Sequence, residues 1–67
     1  MNANMLRSKM ALHGDMQVDL AKELNITAMG LSNKMNQKTD FKQSEIDFIS
    51  KKYDLTADEI KEIFFSN

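Results

Sequence analysis

"QVDLAKELNITAMGLSNKMN", residues 17 to 36, is the stretch on which the fold turns. Leu20, Ala21 and Leu24 recur at helical spacing and leave Lys22 and Glu23 outward, which predicts an amphipathic helix over about Met16 to Leu24. The small Ala21 lets another helix cross closely. Asn25, Ile26 and Thr27 then form a tight connection, with Ile26 as its buried plug and Thr27 as the N-cap of a second helix over about Ala28 to Asn36. Leu31 and Met35 make that helix's inner stripe, so its other side faces away from the core.

Working toward the N-terminus, Leu6 and Met10 lie one turn apart on a helix from about Asn4 to His13, which Gly14 ends by taking a positive φ. Asp15 is then placed to cap the helix that follows. Toward the C-terminus, "QKTDF" reads as a loop anchored by Phe41. A helix from about Gln43 to Tyr53 turns Ile46 and Ile49 or Phe48 inward, with Ser44 and Asp47 spaced as a capping pair. "TADE", residues 56 to 59, fits a capping box in which Thr56 and Glu59 satisfy each other's backbone donors. The last helix buries Ile60, Ile63 and Phe64. Residues 1–67 thus read as a single, compact, all-α domain of five helices.

Composition narrows the function classes. Sixty-seven residues allow one small domain, and at that size helices pack economically or the chain dimerises. The absence of cysteine excludes disulfides and thiolate metal sites. No apolar run suits a signal peptide or a membrane span, so a cytoplasmic protein without a membrane role is expected. The net charge of −1 argues against nonspecific polyanion binding, but the charges are uneven: residues 1 to 42 carry six Lys/Arg against four Asp/Glu, and residues 43 to 67 carry three against six. That polarity lets the N-terminal part approach phosphate while the C-terminal part stays away from it. No pairing of nucleophile with base, phosphate loop or metal cluster is present in the pattern, so neither an enzyme nor a cofactor is expected.

Two helices joined by three residues and crossing at roughly 90° to 120° constitute a helix-turn-helix pattern, here at about residues 17–36. Its physical logic is that the first helix and the core hold the second proud of the surface, where its outward side chains can enter a major groove about 12 Å wide. The plain alternative is a pair of packed helices with no DNA role.

On these residues, together with "LRSKM", "LSNKMNQKTDF" and "LTADEIKEIFF", the chain resembles the Cro/repressor-type helix-turn-helix family of phage and bacterial regulators, also called the XRE family. In particular, "LSNKMN" followed by "KTDF" is similar to small regulators of Gram-positive phages. The resemblance implies a lambda-repressor-like DNA-binding fold and a homodimer, at least on DNA, that binds a palindromic operator of double-stranded DNA in the bacterial host cytoplasm. Asn25 and Gln37 stand where the family commonly has glycine, and Met16 where it has a Ser or Thr cap, which shifts capping to Asp15. By the same resemblance Gln17 bonds a phosphate at the start of its helix. Thr27, Ala28, Met29, Ser32 and Asn33 fall at the groove-facing positions, and Lys38 and Lys42 lie in the loop that meets the DNA backbone. The DNA reading requires Gln17, Thr27, Lys34, Lys38 and Lys42 on one surface, with Ala28, Met29, Ser32 and Asn33 at base edges. Met29 suits a thymine methyl and Asn33 an adenine edge, so A·T pairs are expected in each half-site.

The remaining residues have readings of their own. Gly30 inside a helix costs roughly 1 kcal/mol relative to alanine; against plain drift stands close approach by another helix or by DNA, with close packing the favoured expectation. His13 is expected to serve the end of its helix rather than a metal. Asp54, Asp58, Glu59 and Glu62 lack calcium-loop spacing and read as caps and a solvated face, and the six methionines mostly as core filling. Phe64 and Phe65 are adjacent and cannot both enter one core, which leaves one, Phe65, for a dimer contact or a folded-back tail. The rival function is a protein-interaction module, such as an antirepressor, using the Phe64 and Phe65 end with no direct DNA role.

Overall fold

Asn2 opens the first helix: its side-chain oxygen accepts the N–H of Met5 at 3.1 Å, so the helix starts at Ala3, one residue before the expected Asn4. The computed structural model describes residues 1–66, and these fold as α1 (Ala3–Leu12), α2 (Gln17–Glu23), α3 (Ala28–Met35), α4 (Gln43–Lys52) and α5 (Ala57–Phe64), with no strand among them. The five expected helices are all present, and the four with expected bounds begin and end within one residue of them. The molecule measures 27 × 25 × 20 Å.

The first four helices end alike. Gly14, Asn25, Gln37 and Asp54 take φ of +72°, +60°, +63° and +50°. At each end the N–H of the following residue reaches back to a carbonyl of the last turn: Asp15 to Met10, Ile26 to Ala21, Lys38 to Asn33 and Leu55 to Ser50, all at 2.8–2.9 Å. This closure satisfies carbonyls that a helix end leaves without partners. Three of the four left-handed positions lack glycine, so the turn geometry is held by these bonds and by packing rather than by backbone freedom.

Leu6, Met10, Leu20, Ala21, Leu31, Met35, Ile46, Ile49, Tyr53 and Ile63 form the buried interior, and Leu24, Ile26, Phe41 and Phe64 pack partly buried around it. The choice between Ile49 and Phe48 resolves to Ile49, with Phe48 left 40% exposed. Tyr53, expected only as a helix end, is core. Its hydroxyl donates to Asp15 at 2.9 Å, and Lys52 donates to both Asp15 and Glu23, at 3.3 and 2.5 Å. The ring of His13 lies 4.9 Å from that of Tyr53. This cluster clamps the α1–α2 connection and the end of α2 onto the end of α4.

Two capping expectations are corrected. Asp15 does not cap α2, because its carboxylate is taken by Tyr53 and Lys52; Asp19, in the first turn, accepts the Met16 N–H instead at 2.9 Å. Ser44 and Asp47 do not cap α4: Glu45 accepts the Lys42 N–H at 2.7 Å, and Asp47 accepts from Gln43. The box at α5 forms as expected, with Glu59 N–H to Thr56 Oγ1 at 3.1 Å and Thr56 N–H to Glu59 Oε1 at 2.9 Å. Glu59 also pairs with Lys9, and the Asn2 N–H donates to the Ile63 carbonyl at 2.9 Å, so α5 is tied to α1. No helix among the described residues is long and apolar enough to cross a membrane.

Candidate nucleic-acid interface

Helix α3 begins at Thr27, whose hydroxyl accepts the Gly30 N–H at 2.9 Å. Leu31 and Met35, one turn apart, are fully buried in the core, and α2 is the helix that α3 packs against most extensively. Outside that stripe, Ala28 and Met29 are exposed and Ser32 and Asn33 half-exposed; Ala28 and Ser32, and Met29 and Asn33, are each four residues apart and form two neighbouring rows, the second of which points away from the core. That face has no carboxylate, since "AMGLSNKM" has none anywhere. The Ser32 hydroxyl accepts from the Asn36 amide at 3.3 Å, whereas the Asn33 side chain makes no hydrogen bond among the described residues.

Gly30 corrects the expectation of a close helix crossing. A Cβ built there would lie 3.1 Å from Thr27 Oγ1 and 4.0 Å from Ile26 Cβ, and no residue of another helix comes as close. The tight neighbour is the helix's own cap.

The cations around this face are of two kinds. Lys38 and Lys42 are exposed and form no ion pair among the described residues. Lys38 is tied to α3 through its backbone, which donates to the Asn33 carbonyl at 2.8 Å. Lys34 is engaged internally: its ammonium sits 3.0 Å from Glu45, donates to the Asp40 carbonyl at 3.0 Å and lies over the Phe41 ring. Glu45, only 6% exposed, therefore joins Lys34 of α3 to the Lys42 N–H at the start of α4 and fixes the shape of the loop between them. The sequence reading missed this role, although the three-residue spacing of Lys42 and Glu45 is that of a cap and its returning carboxylate. Gln17 stands half-exposed in the first turn of α2 and shares no hydrogen bond with the α3 residues or the loop lysines.

At the opposite edge of the loop, Phe41 meets Phe64 edge-on with ring centroids 5.3 Å apart. Phe65 is 58% exposed beside them. A groove of about 510 Å³ runs here, lined by Lys34, Asp40, Phe41, Ile46, Phe64 and Phe65 among others. No group of three or more His, Cys, Asp or Glu among the described residues is arranged to hold a metal ion. No protein-family model, curated protein or solved structure matches the chain.

Proposed function

We propose that the chain is a sequence-specific DNA-binding regulator of the helix-turn-helix type, dimeric on a palindromic operator and acting by occupying a promoter rather than by catalysis. The observation that carries the reading is the open side of α3, where Ala28, Met29, Ser32 and Asn33 stand free of carboxylates, with Met29 and Asn33 pointing away from the buried Leu31 and Met35. In this reading α2 positions α3, and α3 lies in the major groove. The Asn33 amide, without a hydrogen bond among the described residues, pairs with an adenine edge, and the Met29 methyl, 74% exposed, meets a thymine methyl. Lys38 and Lys42, without ion pairs among the described residues, take phosphates, with Gln17 adding a contact from the start of α2. Lys34, which the sequence reading grouped with them, instead shapes the loop through Glu45.

A duplex selected from a random pool gives the test. Asn33→Ala is expected to weaken binding to the selected site about ten-fold, the lower part of what one bidentate base contact contributes, and to relax the preference at one A·T position. Binding to unselected DNA should not change. An Asn33→Ala chain with unaltered affinity and preference would contradict the assignment.

A further inference from the structure

The methionines divide by exposure. Met10 and Met35 are buried in the core, whereas Met29 and Met16 are 74% and 69% exposed. On α3, Met29 lies one turn before Asn33 with most of its side chain open to solvent. We propose that Met29 is an oxidation-sensitive residue of the DNA-reading face, and that its conversion to the sulfoxide weakens recognition of the operator. This rests on the DNA-binding reading of α3.

The chemistry needs only a peroxide. The Met29 Sδ attacks one oxygen of hydrogen peroxide; an S–O bond forms as the O–O bond breaks, sulfur is oxidised by two electrons, and the second oxygen leaves as water. A flexible apolar side chain becomes a polar, chiral one. Held against a thymine methyl, the sulfoxide oxygen gives up its hydration and meets no donor, which is unfavourable. No charge changes, so phosphate contacts through Lys38 and Lys42 persist and the loss falls on specific binding alone. Reduction by a thiol-dependent sulfoxide reductase, in which two thiols become a disulfide and the oxygen leaves as water, returns the thioether.

Met16 provides the internal comparison, being equally open to peroxide but sited before α2 rather than on the face of α3. The full chain, Met16→Leu and Met29→Leu are each treated with graded hydrogen peroxide, with every methionine followed by peptide mass spectrometry. Each protein is then compared with itself before treatment, on the selected duplex and on a random one, with circular dichroism to verify the fold. Met29 and Met16 are expected to oxidise before Met10 and Met35. The natural chain and Met16→Leu should lose about ten-fold in affinity for the selected site and little for the random one, while Met29→Leu shows no loss on treatment. Methionine sulfoxide reductases should restore binding. An equal loss in Met29→Leu, or unchanged binding with Met29 fully oxidised, overturns the proposal while leaving the DNA reading intact. An untreated chain that binds no duplex overturns both.

Discussion

At the scale of single residues, Thr27 and Gly30 form a unit that neither residue explains alone. A glycine three residues into a helix is unfavourable by roughly 1 kcal/mol relative to alanine, yet a Cβ there would press on the hydroxyl that caps the helix, at 3.1 Å. The two effects oppose each other, so Gly30→Ala should change stability by much less than the helix preference suggests. Thr27→Ala loses the cap and should cost about 1 kcal/mol. In the Thr27→Ala background the hydroxyl is gone, and Gly30→Ala should then stabilise by close to the full ~1 kcal/mol. Urea melts of the four chains measure the coupling. Equal effects of Gly30→Ala in both backgrounds would show that the cap does not set the choice of glycine. The residue was legible as an anomaly in the sequence, but its cause was not, because a neighbour three residues away on the same turn looks the same in sequence as one supplied by another helix.

Among elements, legibility follows the range of the interaction. The helices and the caps at Thr27 and Thr56 could be read because hydroxyl and donor lie within one turn. Caps at α2 and α4 were misassigned because a carboxylate in the first turn, Asp19 or Glu45, can serve the N-cap backbone whatever side chain the N-cap residue has. Asp15 was misread for a different reason: its partner Tyr53 is 38 residues away. That contact gives the link between α1, α2 and α4 a pH dependence. The Tyr53 hydroxyl, first, and Lys52 hold the Asp15 carboxyl below its ordinary pKa against the opposing effect of burial, and the Lys9 ammonium does the same for Glu59 with help from the Thr56 backbone. Burial, then the bond to Asp15, raises Tyr53, and its bond to Glu23 raises Lys52.

The depressed carboxylates stabilise the fold fully above their unfolded range and lose that contribution as acid titrates the folded chain. The raised groups contribute fully below their unfolded range and lose it as base does so. Thermal midpoints should therefore be flat between about pH 5 and 9.5 and fall on both sides. Asp15→Asn should shallow the acid flank and Tyr53→Phe the alkaline one. An alkaline flank unchanged in Tyr53→Phe would contradict the clamp.

For the molecule as a whole, the charge division of the sequence reappears in space only in part. The α3 face lacks carboxylates and is followed by two lysines without ion pairs among the described residues, but Lys34 is spent inside the loop, and Gln17 lies on a separate helix. The side-chain types at the candidate face were legible from spacing; the diversion of Lys34 was not, because it depends on Glu45 being turned inward at 6% exposure. At the other end, Phe65 stays open while Phe64 meets Phe41 edge-on, which fits the split expected of adjacent aromatics. If Phe65 carries the dimer, sedimentation equilibrium at high micromolar concentration should show Phe65→Ala shifted toward monomer; a natural chain that is already monomeric there, and unaffected on DNA by the substitution, would remove that role. The central claim concerns DNA, and salt tests it most directly. Fluorescence anisotropy of a selected duplex, titrated with the chain across 50 to 300 mM salt, should give log affinity falling linearly with log salt at a slope of about −2 to −4, as Lys38 and Lys42 of each protomer displace counterions. A flat response, or no binding at the lowest salt, would contradict the account.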